Sequence, residues 1–344
     1  MPDMETRTTP IDGPAAWRPA DLHGRSDWVH ELTDAEQREL EQAVARLPDD
    51  GQVGDQALAS IGLGQFPLAE LEPRLAAIRE QVLHGTGFVL VRGLPVSECD
   101  DTSAARMLWG LGLHLGLPQP QDAAGSLMHH VRDTGANVAG EDNVRTYETR
   151  EAQPWHNDGG DVFALMCKAS AANGGRSFVA SAHTAFNEIL RREPQLAAVL
   201  QAPFCFDARG QQLPGTERVQ RVSIFTWFRE RLYTLHKRHY IEHAQRFPEV
   251  PTLTSAQREA LDLLEEVCDS EAVCMTFEMT PGDLEIGHNF TMLHKRSEFD
   301  QGDAELSRRH MRRLWLGLPD GWPLPPAYTK TREFGHLAAV RREA

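Results

Sequence analysis

The segment Trp155-His156-Asn157-Asp158 constrains this chain more than any other. An imidazole and a carboxylate two residues apart project from the same face of a β-strand. A third ligand has to come from another strand, and His294 in Leu293-His294-Lys295-Arg296 is the candidate. Two histidines and one carboxylate make a facial triad, which suits non-haem Fe(II) and leaves coordination positions open for chemistry. The fold must then place residues 156 and 294 side by side. An isolated His-x-Asp is commonly a solvated histidine beside a turn aspartate, so the reading depends on its surroundings.

The chain has 344 residues, enough for a sizeable core. Lys plus Arg is 35 and Asp plus Glu is 50, a net charge of −15. Such an acidic balance argues against broad contact with nucleic-acid phosphates or anionic membranes. No apolar run approaches transmembrane length. Cys99, Cys167, Cys205, Cys268 and Cys274 are odd in number and lack Cys-x-x-Cys spacing, which points to a reducing cytoplasm. Residues 1–25 are polar and Pro-rich, without the apolar stretch of a signal peptide, and read as a disordered leader. Residues 26–344 then form a single domain. Oligomeric state is left open, a homo-oligomer included.

Helical spacing runs through 34–47, 67–84, 100–116 and 184–202, and Thr254-Ser255-Ala256-Gln257 is a capping box before a helix reaching Val267. Short apolar runs at 87–95, 177–181, 273–279, 283–287 and 309–316 read as strands, as do 144–149, 154–168 and parts of 222–235. Strands broken by helices without strict βαβ alternation predict a β-rich α+β fold, helices backing a sandwich.

Three further segments support the metal reading. Gly174-Gly175-Arg176-Ser177 is a turn entering a strand. Pro281-Gly282-Asp283-Leu284 leads toward Asn289 and His294. Arg308-Arg309-His310-Met311-Arg312-Arg313-Leu314-Trp315 places Arg309 and Arg313 on one strand face with Met311 and Trp315. Two cations beside apolar groups call for an anion, and a dicarboxylate held by a guanidinium is one.

From about Gly85 to Leu316 the chain resembles the taurine dioxygenase-like Fe(II)/2-oxoglutarate-dependent oxygenases, also grouped with clavaminate synthase. Gly-Phe-Val-Leu-Val-Arg-Gly-Leu-Pro, Trp-His-Asn-Asp, Gly-Gly-Arg-Ser, Pro-Gly-Asp, Leu-His-Lys-Arg and Arg-Arg-His-Met-Arg-Arg occur in the family's order. The resemblance implies a double-stranded β-helix (jelly roll) core with flanking helices. It implies Fe(II), 2-oxoglutarate and O2 as cofactor and cosubstrates, with His156, Asp158 and His294 as iron ligands. Arg313 matches the arginine that pairs with the far carboxylate of 2-oxoglutarate, and Ser177 a hydroxyl that helps bind it. Arg309 matches a second arginine, near the iron-side carboxylate.

The activity so implied is hydroxylation of an unactivated C–H of a small molecule, an amino acid or natural-product intermediate, releasing succinate and CO2. Desaturation, cyclisation and C–N cleavage use the same cofactors. Halogenation is not expected, because Asp158 fills the halide's position. Ala152 stands where taurine dioxygenases carry Asn, which argues against taurine. Arg145, Tyr147 and Asn289 are the candidate substrate contacts. The competing readings are a non-catalytic jelly-roll protein that binds metal and metabolite, and a cupin-like isomerase or hydrolase, which gives Arg313 no anchoring job.

Overall fold

The computed structural model of the protein describes residues 6–48, 54–97, 99–135, 148–301 and 308–341. Two sheets face each other. The larger has seven strands, in the order Val29–Glu31, Phe88–Arg92, Leu284–His288, Val162–Ala169, His310–Gly317 and Leu117–Gln119, with Met128–Val131 also paired to His310–Gly317. The smaller has four, in the order Cys274–Phe277, Ser177–Ser181, Met292–Arg296 and Gln153–His156. From Gln153–His156 through Val162–Ala169 to Ser177–Ser181, and again from Cys274–Phe277 through Leu284–His288 and Met292–Arg296 to His310–Gly317, the chain alternates between the two sheets, the pattern of a jelly roll.

The core is layered accordingly. Phe88, Leu90, Phe163, Val179, Phe277, Met292, Met311 and Trp315 fill the space between the sheets. A second apolar layer joins the outer face of the large sheet to the helices Asp34–Ala45, Glu72–His84 and Asp101–Leu115. A third joins helices Ala182–Arg192, Pro194–Leu200 and Ser255–Asp269 around Phe186, Phe204 and Leu264. Helix starts follow local chemistry: Thr33, Asp100, Ser181 and Thr254 each accept a backbone N–H from the first turn. The single helix expected over 184–202 is two, because Pro194 pushes Glu193 out of helical geometry. The helix expected from 67 begins at Glu72, and that expected over 34–47 ends at Ala45.

The disordered leader expected for residues 1–25 does not describe residues 6–25. Ile11, Trp17 and Leu22 are buried. Trp17 donates its indole N–H to the Thr86 carbonyl at 2.7 Å, and Asn187 brackets Ile11 with two backbone bonds of 2.7 Å. Three apolar anchors among prolines supply enough burial to order a polar segment. Among the described residues, no helix is long and apolar enough to cross a membrane.

Candidate metal centre and cosubstrate pocket

Strand pairing sets the first two ligands. His156 ends its strand directly opposite His294, and their ring centroids are 4.3 Å apart. Asp158 was expected on the same strand; it lies instead in the turn just beyond it. Asn289 builds that turn. Its side chain accepts the Asp158 N–H at 3.1 Å and donates to the carbonyls of Gly159 and Gly160 at 2.7 and 3.1 Å. Asn157 donates to the carbonyls of Thr234 and Asn289 at 2.6 and 2.7 Å. The expectation that Asn289 touches substrate is therefore corrected: it is fully buried and its amide is spent on the turn.

One ligand atom from each of His156, Asp158 and His294 lies within 4.8 Å of the others. His156 Nδ1 faces the Pro154 carbonyl at 2.9 Å. A carbonyl only accepts, so Nδ1 carries the proton and Nε2 keeps its lone pair. The Gln153 amide reaches that Nε2 at 2.8 Å. His294 Nε2 is buried without a hydrogen-bond partner, 4.0 Å from Asp158 Oδ2. Burial lowers the pKa of both imidazoles, that of His294 to about 4, so both are neutral donors at pH 7. Burial opposes ionisation of Asp158, but Arg313, then His294 and His156, outweigh it and hold the carboxyl below its usual range. Two neutral imidazoles, one carboxylate and an orphaned ring nitrogen fit a divalent cation.

Arg313 donates to Asp158 Oδ1 and to Gln121 Oε1, both at 2.8 Å. The strand register explains its aim: Glu285, Leu165 and Arg313 form one row across three neighbouring strands and face the interior together. Arg309 was expected to alternate with Arg313 on that strand. It lies just before the strand, its side chain passes Gly175, and it acts on Cys167 and Glu285, on the interior side that Arg313 also faces.

Ser177 sits opposite Arg296 in the small sheet, two residues along from His294. That is about 7 Å at strand rise. The Ser177 hydroxyl and the Arg309 guanidinium both act on the Glu285 carboxyl, each favouring its charged form. Arg296 and Arg309 lie over the Phe299 ring at 4.8 and 5.3 Å. Arg296 Nη1, Arg309 Nη1 and Glu285 Oε1 are all buried without a hydrogen-bond partner. Sequence reasoning missed Glu285 and Arg296. Each had a signal: Glu285 is a charge between Leu284 and Ile286, and Arg296 lies two residues beyond His294.

On the open side, His156 and Asp158 share a pocket with Arg209, Lys237, Arg238, Arg313 and Arg332; Asp158 is its single lining carboxylate among the described residues. Lys237 bridges to His156 across the sheet edge and its Nζ lies 2.9 Å from Glu333 Oε1. Arg145 and Tyr147 lie outside the described residues. Of the histidines near the motifs, His288 is packed against Trp322 and His130 stacks on His310, while His129 pairs with Asp122 at 3.0 Å.

Residues 51–315 match the family described as "Taurine catabolism dioxygenase TauD, TfdA family". FR-33289 synthase of Streptomyces rubellomurinus is 28% identical over 346 residues, covering 98% of this chain and 99% of that protein. Asparagine oxygenase, solved with Fe(II), 2S,3S-3-hydroxyasparagine and succinate, superposes with a TM-score of 0.62 at 19% identity, over 84% of this chain and 93% of that one. The non-haem iron oxygenase OrfP, solved with Fe and alpha-ketoglutaric acid, gives 0.60 at 17% identity, over 84% and 93%. The chain belongs to the taurine catabolism dioxygenase TauD, TfdA family and is an Fe(II)- and 2-oxoglutarate-dependent dioxygenase.

Proposed function

We propose that His156, Asp158 and His294 hold the iron, that Ser177 and Arg309 hold the far carboxylate of 2-oxoglutarate, and that the enzyme hydroxylates a small anionic molecule. The observation that carries this reading is the triad itself, with a tautomer-fixed His156, an orphaned His294 nitrogen and a basic pocket opening beside them. When bound, iron and 2-oxoglutarate supply the O2-dependent oxidation of a C–H bond. The protein's part is geometry. Pro154 sets the His156 ring through Nδ1, Asn289 sets the Asp158 backbone, and Arg313 fixes one Asp158 oxygen while leaving Oδ2 toward His294.

The resemblance gave Arg313 the far carboxylate and Arg309 the near one. The arrangement supports the reverse for Arg309. It shares Glu285 with Ser177, whereas Arg313 donates to Asp158 and Gln121. Arg313 then orients the iron's carboxylate and lines the substrate side.

Five cations line that side; Lys237 and Arg332 also pair with Glu333, Arg238 with Glu242, Asp262 and Glu265, and Arg313 with Asp158, and this concentration of charged donors supports a substrate bearing a carboxylate, sulfonate or phosphonate. The asparagine oxygenase was solved with 2S,3S-3-hydroxyasparagine and succinate, small molecules both, which agrees with the pocket's place beside the triad. Succinate release with Fe(II), ascorbate and 2-oxoglutarate tests the proposal. Candidates carrying an oxyanion should stimulate release, their neutral amides or esters should not, and Lys237→Met should raise the KM for the stimulating compound roughly tenfold, the loss of about one charge contact. Equal stimulation by neutral analogues refutes the anionic class. A product mass of substrate plus one oxygen separates hydroxylation from desaturation, cyclisation and C–N cleavage.

A further inference from the structure

Glu285 has no place in the mechanism above, yet it lies where the cosubstrate must bind. It is 2% exposed, central in the large sheet, and its row-mates Leu165 and Arg313 face the same interior. Its Oε1 is orphaned, and the Ser177 hydroxyl of the facing sheet acts on the same carboxyl. Arg309 and Arg296, both stacked over Phe299, each keep an orphaned Nη1. Three buried polar atoms without partners beside one hydroxyl describe a cradle for an oxygen-rich group.

A carboxylate ligand entering that cradle meets a second carboxyl already there. In a dry pocket, two carboxylates competing for the same guanidinium cannot both be ionised at low cost. The cosubstrate's far carboxylate, an exposed acid in water, arrives charged. The proton therefore belongs on Glu285.

Resting on the cosubstrate anchor proposed above, we propose that Glu285 is a positioning residue of that pocket: it must carry a proton for Ser177 and Arg309 to accept the far carboxylate of 2-oxoglutarate, so binding takes up a proton at alkaline pH. Protonated, Glu285 donates its O–H to the incoming carboxylate and leaves Arg309 to it. Ionised, it holds the Ser177 hydroxyl and the charge of Arg309 for itself. The groups around it are Cys167 on the neighbouring strand, Arg309 and Arg313 beyond, Asp158 in the turn, and Arg296 and His294 on the facing sheet. Burial first, then the charge of Asp158, raises the Glu285 pKa to about 8, with Arg309 and Ser177 pulling the other way. Its proton is thus exchanged within a reachable pH range.

The test is binding, measured by calorimetry on the full chain loaded with Mn(II), without turnover. The Kd for 2-oxoglutarate should be flat below pH 7 and weaken toward tenfold per unit above pH 8. In buffers of differing ionisation enthalpy, about one proton should be taken up per 2-oxoglutarate at pH 9. Glu285→Gln keeps a hydrogen-bond donor without the charge, so its Kd should stay flat to pH 9 with no proton uptake. A flat wild-type Kd with no proton uptake overturns the proposal, as does an unchanged slope in Glu285→Gln. If that variant does not fold, the wild-type proton count decides alone. Absence of 2-oxoglutarate binding at every pH removes the cosubstrate anchor itself, a different result from binding without a pH slope.

Discussion

The ligand residues are prepared before any metal arrives. His156 is fixed as the Nδ1–H tautomer by a backbone carbonyl two residues back, so its ring needs no distant partner to be oriented. His294 has the opposite situation. Its Nε2 is buried and orphaned, an arrangement that costs on the order of 1–3 kcal/mol unless something occupies the centre. His294→Ala removes a ligand and that cost together. Thermal stability of the metal-free protein should therefore change little or rise, while Mn(II) affinity falls by more than the roughly 10–100-fold expected from losing an outer partner of a ligand. Calorimetric titration and a melting curve on the same sample check both halves; a variant that unfolds while retaining affinity contradicts the reading. The sequence displayed the ligands openly, because His-x-Asp and a distant histidine are residue types with few other joint uses. It displayed the anchors less openly. Glu285 hides in a strand otherwise read for its apolar residues, and the alternation that paired Arg309 with Arg313 carried no sign of which carboxyl each would meet.

The element that ties these residues together is the turn between the strands Gln153–His156 and Val162–Ala169. It carries the chain from the small sheet to the large one within five residues, too few for ordinary loop geometry. Gly160 makes the corner at φ +75°, with a hypothetical Cβ only 2.8 Å from the Leu316 carbonyl. The Gly160 N–H donates to Glu333 and the Asp161 N–H to Leu316, so both sides of the corner are fastened. Gly160→Ala adds a left-handed penalty of about 1–2 kcal/mol and an overpacking cost of about 1–3 kcal/mol. Denaturant unfolding should show a loss of roughly 2–5 kcal/mol with m unchanged, and metal affinity should drop because Asp158 is two residues away. A loss under 1 kcal/mol contradicts the account. Reading 154–168 as one extended stretch found both strands and missed this corner. Two adjacent glycines, Gly159-Gly160, were the local sign that the strand could not be continuous.

At the scale of the whole molecule, the buried titratable groups predict how metal-free stability depends on pH. Burial depresses the imidazoles of His183 and His294 to about 4 and His288 to about 3. Unfolded, they bind protons near pH 6.5, so between about 4 and 6.5 the unfolded chain holds more protons and stability rises with pH. Burial raises Asp161 to about 6 and Glu285 to about 8, despite Arg341 and Arg309. Those two carboxyls hold protons in the folded chain that the unfolded chain has released. Their contribution is fully present below the unfolded carboxyl range and is lost as pH rises through the folded values. His156, also lowered, and His310, at about 4, add to these three, so the histidines outnumber the two carboxyls and leave a net gain up to about pH 6. Above 6.5 the histidines no longer contribute, and Glu285 alone still loses stability, at about 1.4 kcal/mol per unit until pH 8. Stability of the chelator-treated protein should therefore peak near pH 6–6.5 and fall by about 2 kcal/mol toward pH 8. Glu285→Gln should flatten that alkaline decline and leave the acid side unchanged. Urea unfolding at half-unit steps from pH 5 to 8.5 measures it, and an alkaline decline that survives in Glu285→Gln would assign the proton to another group. Adding 2-oxoglutarate and Mn(II) should raise stability throughout by mass action but carry the decline on beyond pH 8, since a bound far carboxylate keeps the proton on Glu285 in the folded chain alone.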